Sequence, residues 1–194
     1  MSTDDITGDP RFDGRPVDDW ARSWEVPRVV AFTSVGSTMD VAHALAREGA
    51  SDGTVVVADT QQAGRGRNGR PWRAPSGGLW CSVLLRPTAQ QPFDGATLGV
   101  FTLRIGLSLA VVLDDVIGGA SPAVRLKWPN DLWWSGGKLG GILTEAHWEG
   151  ARLGWLVVGV GINRALPPGR GSTDLAPPIA LPSALPRGTL LGVM

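Results

Sequence analysis

The 194-residue sequence has one cysteine, Cys81, and two histidines, His43 and His147. A single thiol excludes an internal disulfide and any multi-cysteine zinc site. Two histidines exclude a His-rich metal centre. Net charge is missing too: 18 Lys and Arg stand against 18 Asp and Glu, which argues against general binding to nucleic acid or a membrane surface. No apolar run reaches the roughly 18–20 residues of a membrane span, and the polar opening "MSTDDITGDPRFDGRP" lacks the apolar stretch of a signal peptide. The expectation from these absences is a cytoplasmic protein with neither DNA nor membrane as partner. Walker A, G-x-S-x-G and H-E-x-x-H motifs are all absent.

What is present reads as one domain. Residues 1–25 look like a loose polar leader. "VPRVVAFT", "GTVVVADTQ" and "LWCSVLLRP" have the β-branched and aromatic content of strands. In "STMDVAHALAREGA", Ser37 is placed to cap a helix that Gly49 ends. "ATLGVFTLRIGLSLAVVLDDVIG" is apolar at helical spacing and reads as the main core helix. "DLWW", "KLGGILTEAHW" and "LGWLVVGVGIN", separated by "SGG" and "EGAR" turns, read as an antiparallel meander. The fold class expected is α+β, with a mixed, largely antiparallel sheet and helices packed on one face. The catalytic domain would span 26–166. Residues 167–194, from a segment with six prolines in 31 residues, read as a proline-rich tail with a truncated C-terminus.

The stretch that asks for an explanation is "QQAGRGRNGRPW", with three arginines and three glycines between Gly64 and Arg70. Like charges on flexible backbone repel and cannot pack unless an anion arrives to order them. The match to G-x-G-x-x-G fails as a dinucleotide fingerprint, because "RPWRAPSGG" cannot supply the helix that must follow. A solvated basic loop is the bland alternative. A clamp over a phosphate-bearing ligand is the functional one, since arginine offers forked donors and glycine lets backbone N–H groups approach closely. In "RLKWPNDLWW", Lys127 ends a strand, with Asn130 and Asp131 as polar, metal-facing groups beside it; a lone strand-end lysine is otherwise surface charge. "KLGGILTE" and "VVGVGINRA" carry strand glycines, which weaken a sheet unless something must approach the backbone.

"GRGRNGRPW", "KWPNDL", "KLGGILTE" and "GVGIN", in this order and with "SVGSTMDVA" upstream, resemble the signature of biotin protein ligases over residues 28–166. The resemblance implies an enzyme that joins biotin to ATP, with Mg²⁺, and passes the biotinyl group to a lysine of a biotin carboxyl carrier domain. It implies catalytic roles for Lys127 and Arg67. Ser37, Thr38, Met39, Gln61, Gly64, Arg65, Gly66, Arg67, Lys127, Gly141 and Gly159 would bind biotin. Gly141 and Gly159 would do so by letting the sheet backbone lie against the ligand. Arg70, Trp72, Asn130 and Asn163 would lie on the ATP side. No metal ligand is assigned.

Two departures from the family pattern stand out. Met39 replaces the asparagine common after Ser-Thr and removes a polar contact. The proline-rich segment stands where members carry a small C-terminal barrel. An apolar face left by that barrel would favour a homodimer. A lipoate- or octanoate-transferring relative and a non-catalytic truncated binding module are the rival readings.

Overall fold

The structure is a computed structural model that describes residues 8–87, 94–118, 123–164, 181 and 187–193. Its main sheet is built from β3 (Val29–Val35), β4 (Val55–Gln61), β5 (Leu79–Leu85), β6 (Arg125–Lys127), β7 (Asp131–Trp134), β8 (Gly137–Glu149) and β9 (Arg152–Ile162). The strand order is β3-β4-β5-β9-β8-β7-β6. Only β3 and β4 run parallel; every other neighbouring pair is antiparallel, so the sheet is mixed and largely antiparallel as expected. The β7–β8–β9 meander turns where the sequence placed its turns, at Ser135 and Gly136 and again at Gly150, all with positive φ.

The helices differ from expectation by dividing between both faces. The reason lies in strands apolar on both sides. On β4, Val55 and Val57 face one core while Val56 faces the other. Helix α2 (Thr38–Arg47) covers the second face with Val41, Ala42 and Leu45. Helix α3 (Gly95–Ile117) covers the first with Leu109, Ala110 and Leu113, packing on β6, β7 and β8. Asp94 caps α3 by accepting from Thr97 N at 2.7 Å, and Gly118 ends it in a left-handed conformation.

Helix α3 departs from two expectations. It is long and apolar enough to cross a membrane by length and composition, with a mean hydropathy of 1.9 over its most apolar 18 residues. Nor is it a central core helix: Val100, Leu107 and Val111 on its outer side are exposed. Its sequence is apolar nearly all round, so periodicity marks the helix but not which side is covered.

The leader is not loose over its described part. β1 (Arg11–Phe12) and β2 (Arg15–Pro16) form a small hairpin, and α1 (Val17–Ser23) follows. Phe12 and Trp20 are buried, and the Trp20 indole donates to Phe12 O at 2.7 Å. The Asp9 carboxylate accepts from the Thr33 hydroxyl at 2.7 Å, tying the segment to β3. Average polarity concealed these few aromatic anchors. Most of the proline-rich tail lies outside the described residues, but Leu181 is buried and α4 (Arg187–Val193) docks on α1. The Trp24 indole donates to Gly188 O at 2.9 Å, and Arg187 pairs with Asp13 and, at 2.6 Å, with Asp59.

Candidate functional site

The α2 side of the sheet carries a cavity of about 690 Å³ over Gly141, Gly159 and Gly161. At one end the helix N-terminus supplies Ser37, Thr38 and Met39. Thr38 donates to Gln61 Oε1 from its backbone N at 2.8 Å and from its hydroxyl at 3.1 Å. The backbone N–H can only donate, so this assigns the Gln61 oxygen and leaves its NH₂ as a donor at the cavity wall. The Thr38 and Ser82 hydroxyls share a further bond of 2.8 Å. Ser37 stands at the N-cap position but makes no side-chain cap bond; its Oγ accepts from Arg65 instead, at 3.3 Å.

The arginine loop packs through contacts within the chain itself, which the count of like charges did not suggest. It closes on itself through Gly66 N to Arg70 O and Trp72 N to Gly64 O, both 2.8 Å. Asn68 and Gly69 make the tip, with positive φ. Gly64 serves this closure and does not line the cavity: a Cβ there would lie 2.6 Å from Trp72 O. Repulsion is relieved because Arg65 is neutralised. Its Nε and Nη2 donate to the two Glu145 oxygens at 2.9 Å each, and its Nη1 donates to Asp40 at 2.7 Å. Arg67 and Arg70 line the cavity without an ion pair among the described residues.

The far end holds the tryptophan and the lysines. The Trp72 indole lies over Gly161 and Gly141, where added Cβ atoms would come within 2.8 and 3.3 Å of its ring. These glycines make room for Trp72, and Gly159 makes room for Met39; the sequence reading had given Gly141 and Gly159 to the ligand directly. Trp72 Nε1 is buried with no hydrogen-bond partner and lies against the sheet, 2.9 Å from where a Cβ on Gly161 would be. Lys127 is exposed, its Nζ 4.2 Å above the Trp133 ring at the cavity rim. Lys138, which the sequence reading passed over, is 9% exposed, 2.7 Å from Asp131 Oδ1 and 5.1 Å above the Trp72 ring. Its place two residues before the strand glycines of "KLGGILTE" was the available signal.

The two asparagines separate. Asn130 lines the cavity and donates to Ile142 O at 2.8 Å. Asn163 does not line it; fully buried, it donates to Lys138 O at 3.0 Å and so holds the backbone that carries the lysine. Cys81 borders the cavity, but burial pushes its thiol up to about 12, which keeps it protonated and unreactive. Beside the loop, hydrogen bonds from His43 and then from Arg65 hold the Glu145 carboxyl down at about 2. Neither His43 nor Glu145 was singled out from the sequence. Among the described residues no group of three or more His, Cys, Asp or Glu could hold a metal ion.

A buried lysine paired with an aspartate beneath an arginine–glycine loop is an arrangement suited to a phosphorylated or carboxylate ligand. The model of the biotin/lipoate A/B protein ligase family matches residues 31–163. The chain belongs to that family. A bifunctional ligase/repressor BirA of Bacillus subtilis is 40% identical over 131 residues, 66% of this chain and 38% of that protein. A biotin–[acetyl-CoA-carboxylase] ligase of Paracoccus denitrificans is 38% identical over 69% of this chain and 54% of its own length. The chain thus spans well under two thirds of these curated relatives. Among solved structures, the Aquifex aeolicus biotin protein ligase in complex with biotin and ATP has a TM-score of 0.62 at 28% identity, covering 86% of this chain and 70% of that one. A Leishmania major biotin protein ligase in complex with biotinyl-5-AMP has a TM-score of 0.63, also at 28% identity, over 86% and 72%.

Proposed function

We propose that this chain is the catalytic domain of a biotin protein ligase. The observation that carries the proposal is the cavity in which Lys138, Asp131 and Trp72 meet beneath the arginine loop. Family relatives with biotin and ATP, or with biotinyl-5-AMP, support the ligand assignment.

In this reading the biotin carboxylate attacks the α-phosphorus of ATP and pyrophosphate leaves. A carboxylate is already a nucleophile, so no general base is required. The demand is electrostatic, and Lys138 meets it from a largely water-excluded position where a fixed charge is worth most. Lys127, Arg67 and Arg70 add positive charge at the rim and over the ligand. Ser37, Thr38 and the Gln61 NH₂ face the apolar-ringed end suited to biotin, while Trp72 and Asn130 lie toward the nucleotide. The amine of a carrier lysine then attacks the acyl carbon of the mixed anhydride and AMP departs. Loop closure keeps water from that anhydride until then.

Asp131 is the one carboxylate among the described lining residues. That fits Mg²⁺ held chiefly by ATP phosphates with one carboxylate in support, the usual arrangement for this ion. The carrier domain, a cytoplasmic location and a homodimer belong to the same proposal; the exposed Val100, Leu107 and Val111 offer the homodimer an apolar surface. The test is incubation with ATP, Mg²⁺, a biotin carboxyl carrier domain and either biotin or lipoate. Biotinylation of the carrier is the expected result. Lipoylation alone, or neither product, overturns the proposal.

A further inference from the structure

The loop-bearing arginine is held by a chain of four side chains. Trp155 Nε1 donates to His43 Nδ1 at 3.0 Å. An indole N–H can only donate, so His43 Nδ1 accepts and the ring proton sits on Nε2. That Nε2 donates to Glu145 Oε2 at 2.9 Å, and both Glu145 oxygens receive Arg65. The His147 ring stacks on Trp155 with centroids 3.7 Å apart and pins the far end. Asp40, Arg47 and His147 surround this network, and the Arg86 guanidinium lies over the Trp155 ring at 5.8 Å.

We propose that Glu145 is a positioning residue, which seats the arginine loop before ligand arrives by anchoring Arg65, with Trp155 and His43 fixing the direction of its carboxylate. Arg65 is then the anchor of the loop, and Arg67 and Arg70, which have no ion pair among the described residues, are left to meet the ligand anion. The anchor lies next to the site: Arg65 also donates to Ser37 at the cavity wall. A loop seated in advance binds ligand without first having to be ordered. Releasing it lowers apparent affinity by the fraction of molecules still competent, and leaves the chemistry of bound substrate largely intact.

This inference rests on the proposed function only for its kinetic consequence; loop seating is measurable without any ligand. Glu145→Gln, close in shape, tests it by hydrogen exchange of residues 64–70 in the ligand-free protein and by steady-state formation of biotinyl-adenylate. The expected result is faster loop exchange and a biotin KM raised about tenfold with kcat changed less than twofold. Arg65→Ala, which disturbs no core side chain, should speed loop exchange at least as much, since it also gives up the bonds to Asp40 and Ser37. In loop exchange the double variant should be no worse than Arg65→Ala alone, because Glu145 acts on the loop through Arg65. Unchanged loop exchange in Glu145→Gln overturns the inference, as does additivity in the double variant. A wild-type protein that makes no biotinyl-adenylate, but whose loop loosens on Glu145→Gln, overturns the functional reading and leaves the positioning role standing.

Discussion

Lys138 and Asp131 form an ion pair of 2.7 Å at the cavity wall, while Lys127, at the end of the edge strand β6, stands in solvent above Trp133. The two lysines therefore differ in what they can do to a developing charge. Water screens the first little and the second heavily. Lys138→Met should lower the rate of adenylate formation by about 10²–10³, the usual consequence of losing one preorganised charge. Lys127→Ala should lower it by about tenfold or less, with a melting temperature close to that of the parent. Pyrophosphate exchange with biotin and ATP measures both, and an equal loss in the two variants would remove the distinction.

Glu145 makes stability depend on acid. Its carboxyl ordinarily titrates near 4.5, and in the fold it is held at about 2 by His43 and Arg65. A depressed carboxyl contributes stability that is complete above its unfolded value and disappears as pH falls through the folded one. The window therefore runs from about pH 4.5 down to about 2. Glu145→Gln should flatten the pH dependence of the urea midpoint across that window and leave its slope near neutrality unchanged. Identical curves for the two proteins would show that the pair does not persist in solution.

Much of this molecule was legible from residue order. The β-branched run in "GTVVVADTQ", the start and stop of α2, and the turns of the meander each follow from local chemistry, and the structure has them where they were expected, with Ser37 at the N-cap position but its hydroxyl bonded to Arg65. What escaped depends on partners distant in sequence. Arg65 finds Glu145 at a separation of 80 residues, and the Trp24 indole finds Gly188 at 164. Lys138 escaped notice because nothing local says that β8 carries it to the Trp72 ring. Gly140 and Gly141 follow it two and three residues on, and it was those glycines that drew attention. The leader misled in the opposite sense: its charged residues are real, but Phe12 and Trp20 decide where it goes.

Cys81 should be silent to thiol reagents in the folded protein. It is the sole cysteine and is 3% exposed, and its thiol is pushed up to about 12, so almost no thiolate exists at neutral pH. Labelling with an iodoacetamide probe should track global unfolding: negligible in buffer, complete in denaturant, with the same midpoint as the loss of helical signal. Rapid labelling of native protein would mean that the cavity floor opens locally.

The strand glycines should sort into two kinds that sequence does not distinguish. A Cβ on Gly140 would lie 2.5 Å from Gly161 O and 2.7 Å from Ile162 Cδ1, against backbone and a buried neighbour that cannot yield. Gly140→Ala should therefore destabilise the fold by about 1–3 kcal/mol, as overpacking does. A Cβ on Gly159 would meet the Met39 thioether at 2.8 Å, the flexible end of a side chain that can swing aside. Where Met39 swings is into the cavity, so Gly159→Ala should shift the melting temperature little and weaken biotin binding about tenfold. Gly161→Ala would press the Trp72 indole at 2.8–2.9 Å, and a rigid ring moves as a unit. Its effect should fall on ATP KM more than on biotin binding, since Trp72 occupies the end assigned to the nucleotide. Thermal unfolding and calorimetric titration of the three variants separate these outcomes. If all three lose stability alike while ligand affinities stay level, the glycines serve sheet packing alone and the cavity floor is not where the ligand lies.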